Sequence, residues 1–139
     1  MADDETASSQ TTWLVLSGVV VQGDRRGREL GFPTANVELD AASPQLPDDG
    51  IYAGWFEAAD GTRHLAAISV GSRPTYYGEH GNRLVEAYLL DFCGDLYGQD
   101  VRVGVGQKVR GQVRFFSNGE LIEQMHRDVE EVRLLASAR

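Results

Sequence analysis

Six short runs rich in β-branched and aromatic residues follow one another along most of the chain, and this succession constrains the fold more than any other feature. Glycine, proline, aspartate and asparagine separate the runs, as expected for strands joined by turns. The runs are Trp13–Val21, Thr34–Leu39, Ile51–Ala59, His64–Gly71, Leu84–Phe92 and Asp100–Val109. Six strands with no helical pattern between them predict an antiparallel sheet. We prefer its closure into a barrel over a sandwich, because closure removes the sheet edges.

The last part of the chain changes to a helical period. Ser117 and Glu120 have the Ser-x-x-Glu spacing of a capping box, which marks a helix start. Apolar residues then recur at spacings of three and four, at Ile122, Met125, Val129, Val132 and Ala136. Glu123 and Arg127 form an i,i+4 pair on the polar side. The sequence therefore predicts a mainly β fold with one C-terminal amphipathic helix packed on the barrel.

Length and composition limit the organisation of the chain. With 139 residues it is about one domain long. The first 11 residues are small, polar and acidic, which predicts a disordered tail at 1–11 and one domain at 12–139. From Ser69 to Asn82 the chain is rich in glycine and polar residues, which predicts a long loop.

Charge and residue usage exclude several classes of partner. The formal net charge of −8 argues against general nucleic-acid binding, which needs a basic face. No apolar run approaches the roughly 20 residues of a membrane-spanning helix, so we expect no membrane partner. The single cysteine, Cys93, cannot form an internal disulfide and fits a reducing cytoplasm.

The stretch Gly23–Arg28 is a local exception to the acidic balance. Gly23 and Gly27 allow the backbone to approach a ligand closely and to direct N–H groups at an anion. Arg26 and Arg28 add fork-shaped donors suited to phosphate oxygens. The stretch indicates a small anionic ligand. The alternative is an exposed hairpin whose arginines are only solvated, and composition alone favours it because a Gly/Arg loop is a weak motif.

Thr34 and Asn36 follow this stretch at a spacing of two. In an extended segment both side chains point to the same side, so they can present two oxygen ligands to one hard cation such as Mg²⁺. The alternative is an ordinary strand start, in which both side chains bond to their own backbone.

Glu86 falls in the middle of an otherwise apolar strand. A carboxylate there either faces solvent or points into a site where it can act as a base. By alternation Glu86 shares a face with Tyr88 and Leu90, and the pattern leaves open whether that face is wet.

Five stretches together resemble one known family in both order and spacing. They are Gly23–Asn36, Asp48–Phe56, Ala66–Tyr77, Val85–Gly98 and Val109–Arg133. The chain closely resembles the riboflavin kinase family from about Leu14 to Arg133, with Gly-Phe-Pro-Thr-Ala-Asn as the most specific piece. It is most similar to the bacterial form, in which this module is commonly the C-terminal half of a bifunctional riboflavin kinase/FAD synthetase.

The resemblance implies a six-stranded antiparallel Greek-key barrel and a specific reaction. ATP would transfer its γ-phosphoryl group to the 5′-hydroxyl of riboflavin, giving FMN and ADP. By similarity, Glu86 is the general base and Thr34 and Asn36 hold Mg²⁺. The residues implied for ATP are Gly23, Arg26, Gly27, Arg28, Thr34, Leu89, Asp91 and Tyr97. The residues implied for the flavin are Phe32, Arg110, Val113 and Phe115.

The chain departs from the family pattern at two places, and several alternatives follow. Arg25 stands where many relatives have glycine. After Gln112 this chain has Val113-Arg114-Phe115, where relatives often have Glu-Lys-Phe. Other interpretations are a non-catalytic flavin- or flavin-nucleotide-binding module and a kinase that acts on a flavin analogue. We expect a monomeric, free-standing cytoplasmic enzyme or a domain excised from the bifunctional form, and the initial Met1 favours the former.

Overall fold

Alternating apolar side chains close six antiparallel strands into a barrel. The computed structural model describes residues 14–21, 34–40, 45–73, 82–92 and 94–137. The elements are β1 Leu14–Val21, β2 Thr34–Leu39, β3 Gly50–Glu57, β4 Arg63–Arg73, β5 Asn82–Leu89, β6 Asp100–Arg110 and α1 Asn118–Ser137. The strand order around the barrel is β1-β2-β5-β4-β3-β6. Strands β3, β4 and β5 follow in sequence and β6 returns beside β3, which is a Greek-key arrangement. The predicted barrel is confirmed.

The predicted loop from Ser69 to Asn82 is wrong at both ends. Strand β4 continues to Arg73 and β5 already begins at Asn82, because the two backbones pair through Arg73 opposite Asn82. Residues 74–81 lie outside the described part of the chain, as do residues 1–13, which include the predicted tail.

Each strand sends alternate side chains into the barrel interior. In β5 these are Val85, Ala87 and Leu89, which pack with Phe56 of β3. Glu86 and Tyr88 therefore point to the outer face. A second apolar cluster forms on that outer face, where Val132 of the helix packs against barrel residues; its buried members are Ile51, Ala53, Ala67, Leu90 and Val132.

Helix α1 begins at the predicted cap and lies on the outer face of the barrel. The Glu120 N–H donates to Ser117 Oγ at 3.1 Å, as in a capping box. The Glu120 carboxylate accepts a hydrogen bond from the Phe116 N–H at 2.9 Å. In a standard capping box the donor is the N–H of the cap residue itself, here Ser117. Glu123 and Arg127 form the predicted exposed pair at 3.3 Å. Within the described ranges, no helix combines the length and apolar character needed to cross a bilayer.

An ion pair joins the C-terminal half of the helix to the turn after β5. Arg133 donates to both carboxylate oxygens of Asp91, at 2.8 and 3.0 Å. Asp91 has a left-handed backbone with φ of 59°. The hydrogen bond from Arg133 lowers the pKa of Asp91 below its usual value.

This pair gives a pH-dependent stability. Because the pKa of Asp91 is lower in the folded than in the unfolded state, its contribution is present at pH values above the unfolded-state pKa and is lost as pH falls through the folded-state pKa. We expect Asp91→Asn to lower the melting temperature at pH 6, and the difference from wild type to vanish in strong acid. Thermal unfolding between pH 6 and 2 measures it. Glu130→Gln, at an exposed position of the same helix, is the control. A difference that is constant with pH would contradict this account.

The Trp55 ring lies against the backbone of residue 104, and this packing requires glycine there. Gly104 of β6 lies opposite Trp55 of β3, and a Cβ added at Gly104 would overlap the Trp55 ring. Arg63 covers this ring, with its Cζ 3.8 Å from the ring centroid. The ring therefore lies between the Gly104 backbone and the guanidinium.

We expect Gly104→Ala to destabilise the fold by about 1–3 kcal/mol, because the Trp55 ring must shift. Urea unfolding followed by tryptophan fluorescence measures this cost. Gly111→Ala is the matched control, since an added Cβ there meets open space, and we expect a change within about 0.5 kcal/mol. Equal effects of the two substitutions would show that the packing argument is wrong.

Candidate active site

A cavity of about 280 Å³ lies between the outer face of the barrel and the N-terminal half of α1. The segment 111–117, which joins β6 to the helix, forms part of its wall. Barrel, connection and helix all contribute lining side chains: Thr34, Ile51, Ala67, Ser69, Glu86, Tyr88, Arg110, Gln112, Val113, Phe115, Leu121, Met125 and Asp128. Five residues proposed from the sequence thus meet in one place, namely Thr34, Glu86, Arg110, Val113 and Phe115.

Strand register brings the predicted metal ligands beside the predicted base. Asn36 lies directly opposite Glu86 across β2 and β5, and Thr34 lies opposite Tyr88. Side chains of directly opposed residues have Cβ atoms about 4.5–5.5 Å apart. On the other side of β5, Glu86 is paired with Ser69 of β4. Asn36 does not line the cavity itself but adjoins it through Glu86.

The hydroxyl of Thr34 is buried and has no hydrogen-bond partner among the described residues. A buried polar atom without a partner carries a desolvation cost, so such an atom in a cavity wall indicates a ligand. The Thr34 hydroxyl and the carbonyl oxygen of the Asn36 side chain are neutral oxygen donors, and the anionic Glu86 carboxylate lies beside them. This donor set fits Mg²⁺, which binds few protein oxygens and completes its shell with water and phosphate.

Glu86 also lines a second cavity of about 290 Å³, next to the first. Both cavities share Ser69, Glu86 and Gln112. The Gln112 amide donates to Ser69 Oγ at 3.1 Å and to the Val70 carbonyl at 2.9 Å, which ties the β6–α1 connection to β4. The carboxylate of Glu86 can therefore meet groups that approach from two directions.

The buried Asp128 and the partly buried Arg110 form an ion pair in the wall of the first cavity. Arg110 Nε and one terminal nitrogen donate to the two carboxylate oxygens of Asp128, each at 2.8 Å. Gln124 Nε2 adds a third hydrogen bond to the same carboxylate at 3.1 Å. The guanidinium carbon of Arg110 lies 5.9 Å from the centroid of the Phe115 ring.

Sequence reasoning missed Asp128, Gln112, Tyr88 and Ser69 as site residues. A signal existed for Asp128: it lies three residues after Met125 and four before Val132, inside the apolar stripe. Tyr88 shares the face of Glu86 by simple alternation, and burial raises the pKa of its hydroxyl. Ser69 and Gln112 carry no local signal, because only strand pairing and the helix connection bring them together.

Three residues that the resemblance assigned to the nucleotide lie elsewhere. Leu89 is 1% exposed, and its side chain belongs to the barrel interior. Asp91 is engaged with Arg133. Tyr97 is 59% exposed, in a turn where the Gly98 N–H donates to the Val20 carbonyl at the end of β1. None of the three lines the two cavities.

The predicted phosphate-binding stretch and one predicted flavin contact lie outside the described residues. They are Gly23, Arg26, Gly27, Arg28 and Phe32. The described strands fix where this segment starts and ends, because it leaves β1 after Val21 and returns at Thr34. Val21 is paired with Asn36. Both ends of the segment therefore adjoin the proposed metal ligands.

A family model and a curated relative that match this chain are both described as riboflavin kinases. The family model "Flavokinase: Riboflavin kinase" matches residues 11–136. A bifunctional riboflavin kinase/FMN adenylyltransferase from Escherichia coli K12 is 38% identical over 132 residues, which are 92% of this chain and 41% of that protein. The chain thus spans about two fifths of the length of this curated relative.

Two solved structures share the fold. A riboflavin kinase from Trypanosoma brucei aligns with a TM-score of 0.67 and 28% identity, over 94% of this chain and 83% of that one. A Streptococcus pneumoniae structure described as a macrolide-efflux protein aligns with a TM-score of 0.79 and 34% identity, over 86% of this chain and 38% of that one. That description concerns the Streptococcus protein alone. On the match of the family model over residues 11–136, this chain belongs to the riboflavin kinase family.

Proposed function

We propose that this chain is a riboflavin kinase, which transfers the γ-phosphoryl group of ATP to the 5′-hydroxyl of riboflavin and releases FMN and ADP. The observation that carries the proposal is the buried Thr34 hydroxyl, which has no hydrogen-bond partner among the described residues. It lies near Asn36 and Glu86, which are directly opposite each other on β2 and β5. Family membership supplies the substrates.

The first cavity suits a planar aromatic acceptor. Tyr88, Phe115 and Met125 supply aromatic and thioether surface, and Arg110 and Glu86 supply polar groups. A few polar groups in a mostly apolar cleft are typical of small-molecule sites. We assign the isoalloxazine ring of riboflavin to this cavity, with Arg110, Val113 and Phe115 against it and Phe32 as a further contact. The ribityl chain would then extend toward Glu86.

Glu86 acts in this proposal as the general base. Its carboxylate accepts the proton of the riboflavin 5′-hydroxyl while the oxygen attacks the γ-phosphorus of ATP. The bond between this oxygen and phosphorus forms, the bond from phosphorus to the bridging oxygen breaks, and ADP leaves with that electron pair. Phosphoryl transfer asks the protein chiefly for positioning and charge neutralisation, and the location of Glu86 between two cavities meets the first requirement.

Thr34 and Asn36 would hold Mg²⁺, and their oxygens fit it. When bound, this ion neutralises charge on the phosphate oxygens. Gly23, Arg26, Gly27 and Arg28 are assigned to the ATP phosphates. Leu89, Asp91 and Tyr97 are assigned, by similarity to the family, to the nucleotide. We place the reaction in the cytoplasm, which the single cysteine favours. The adenylyltransferase activity in the name of the E. coli relative is not assigned to this chain.

Replacement of the base tests the reaction and the main assignment together. We expect Glu86→Gln to lower the rate of FMN formation by about two orders of magnitude or more, because it removes the proton acceptor and keeps the shape. Chromatography of reactions with riboflavin, ATP and Mg²⁺ measures FMN. Glu38→Gln, an exposed carboxylate on β2, is the matched control and should keep wild-type activity.

Three outcomes would count against all or part of the proposal. A folded wild-type protein that binds riboflavin but makes no FMN would instead be a flavin-binding module. Wild-type rates in Glu86→Gln would remove Glu86 from the chemistry. Activity on a flavin analogue with little on riboflavin would change the acceptor and leave the mechanism in place.

Thr34→Val separates a functional hydroxyl from a structural one. Because Thr34 Oγ1 has no partner among the described residues, we expect its loss to leave stability unchanged or to raise it by up to about 1 kcal/mol. FMN formation should fall by at least about tenfold and require more Mg²⁺, whereas Thr34→Ser should restore both. Thermal unfolding and Mg²⁺ titrations of the rate measure the two effects. A clear loss of stability with unchanged Mg²⁺ dependence would contradict the assignment.

A further inference from the structure

We infer that Asp128 of α1 is a positioning residue for flavin binding, which acts by fixing the orientation of Arg110 and cancelling its charge. This inference rests on the proposed function. Asp128 is 5% exposed and is the buried charged side chain within the described ranges. The proposed reaction assigns Asp128 no role, although it lines the first cavity.

The hydrogen bonds of Arg110 leave two of its N–H donors for a ligand. A guanidinium has five N–H donors. Two bond to Asp128 and one bonds to the Gly111 carbonyl at 2.9 Å, so two have no partner among the described residues. Because the carboxylate engages one edge of the guanidinium, the group cannot rotate freely. The two remaining donors therefore keep a fixed direction relative to the cavity that Arg110 lines.

The charge of Arg110 is also compensated locally. A lone guanidinium in a half-enclosed cavity would attract phosphate, and ATP would then compete for the acceptor site. With Asp128 at 2.8 Å the pair is formally neutral. A neutral group that still offers two N–H donors suits the carbonyl oxygens of an uncharged heteroaromatic ring such as that of riboflavin. The nearby Phe115 ring adds a flat apolar surface.

The pair also attaches the helix to the barrel, so a purely structural role is the competing account. Gln124 holds Asp128 from within the same helix, and Arg110 ends β6. Breaking a buried pair on one side destabilises a protein, whereas replacing both partners by apolar residues of similar volume is often neutral or stabilising. A variant of the second kind therefore removes the pair and keeps the fold.

Three variants of the full chain test the inference. Asp128→Asn removes the charge and one acceptor. The double substitution Arg110→Met with Asp128→Leu removes the pair and keeps apolar packing. Glu123→Gln is the control, since Glu123 is exposed on the same helix. The measurements are thermal unfolding, riboflavin affinity from quenching of flavin fluorescence, and KM for riboflavin and for ATP.

We expect both pair variants to weaken riboflavin binding and to raise its KM by about tenfold or more, the loss of one charge-assisted contact. The KM for ATP should stay within about twofold in the double variant, which should unfold near the wild-type temperature. In Asp128→Asn the charge of Arg110 is no longer compensated, so added inorganic phosphate should compete with riboflavin and weaken its binding. Glu123→Gln should match wild type in every measurement.

The outcomes separate this inference from the proposal beneath it. A folded double variant with wild-type riboflavin affinity and KM would overturn the positioning role and leave the kinase proposal intact. Equal losses for riboflavin and ATP in the double variant would assign the pair to structure alone. A wild-type protein that neither binds riboflavin nor makes FMN would overturn the proposed function and this inference with it.

Discussion

The strict alternation of side chains along β5 is the constraint on which the rest of the structure depends. One set of side chains fills the barrel, and the set between them faces outward, where Glu86 and Tyr88 meet the site. The ladders to β2 and β4 hold this strand on both sides. The same backbone hydrogen bonds that close the barrel thus place Asn36 and Ser69 on either side of Glu86. A rigid sheet therefore carries the proposed chemistry, and the helix and its connection complete the pocket.

Much of this arrangement follows from the sequence because it depends on local periodicity. The six runs predict all six strands within a few residues, and the capping signal predicts the start of α1. Alternation separates Glu86 from Leu89, and only the structure identifies the face of Leu89 as the interior. The error at Ser69–Asn82 has a physical cause as well. Glycine and polar residues weaken the local signal, whereas pairing with β5 extends the strand regardless.

The remaining parts of the site depend on contacts distant in sequence. The Gln112 side chain donates a hydrogen bond to Ser69, which is 43 residues away in the sequence, and no local sequence pattern predicts this contact. Asp128 interrupts an apolar stripe, but its partner Arg110 lies on another element, and only packing of the helix reveals the pair. The assignments of residues to the nucleotide and to the flavin rest on the resemblance to the family. The structure places the side chain of Leu89 in the barrel interior, which the resemblance does not indicate.

The two walls of the first cavity differ in how they are held. Backbone ladders all round the barrel secure one wall. In the described part of the chain, an apolar cluster, the ion pairs Arg110–Asp128 and Arg133–Asp91 and a connecting segment help to secure the helix. Subglobal opening in proteins follows such differences, because the element with fewer cooperative contacts separates first. A ligand between the walls adds contacts to both, so its binding energy is linked to the docking of α1. Amide hydrogen exchange in the helix would then slow on ligand binding, while exchange in the inner strands stays near the global limit.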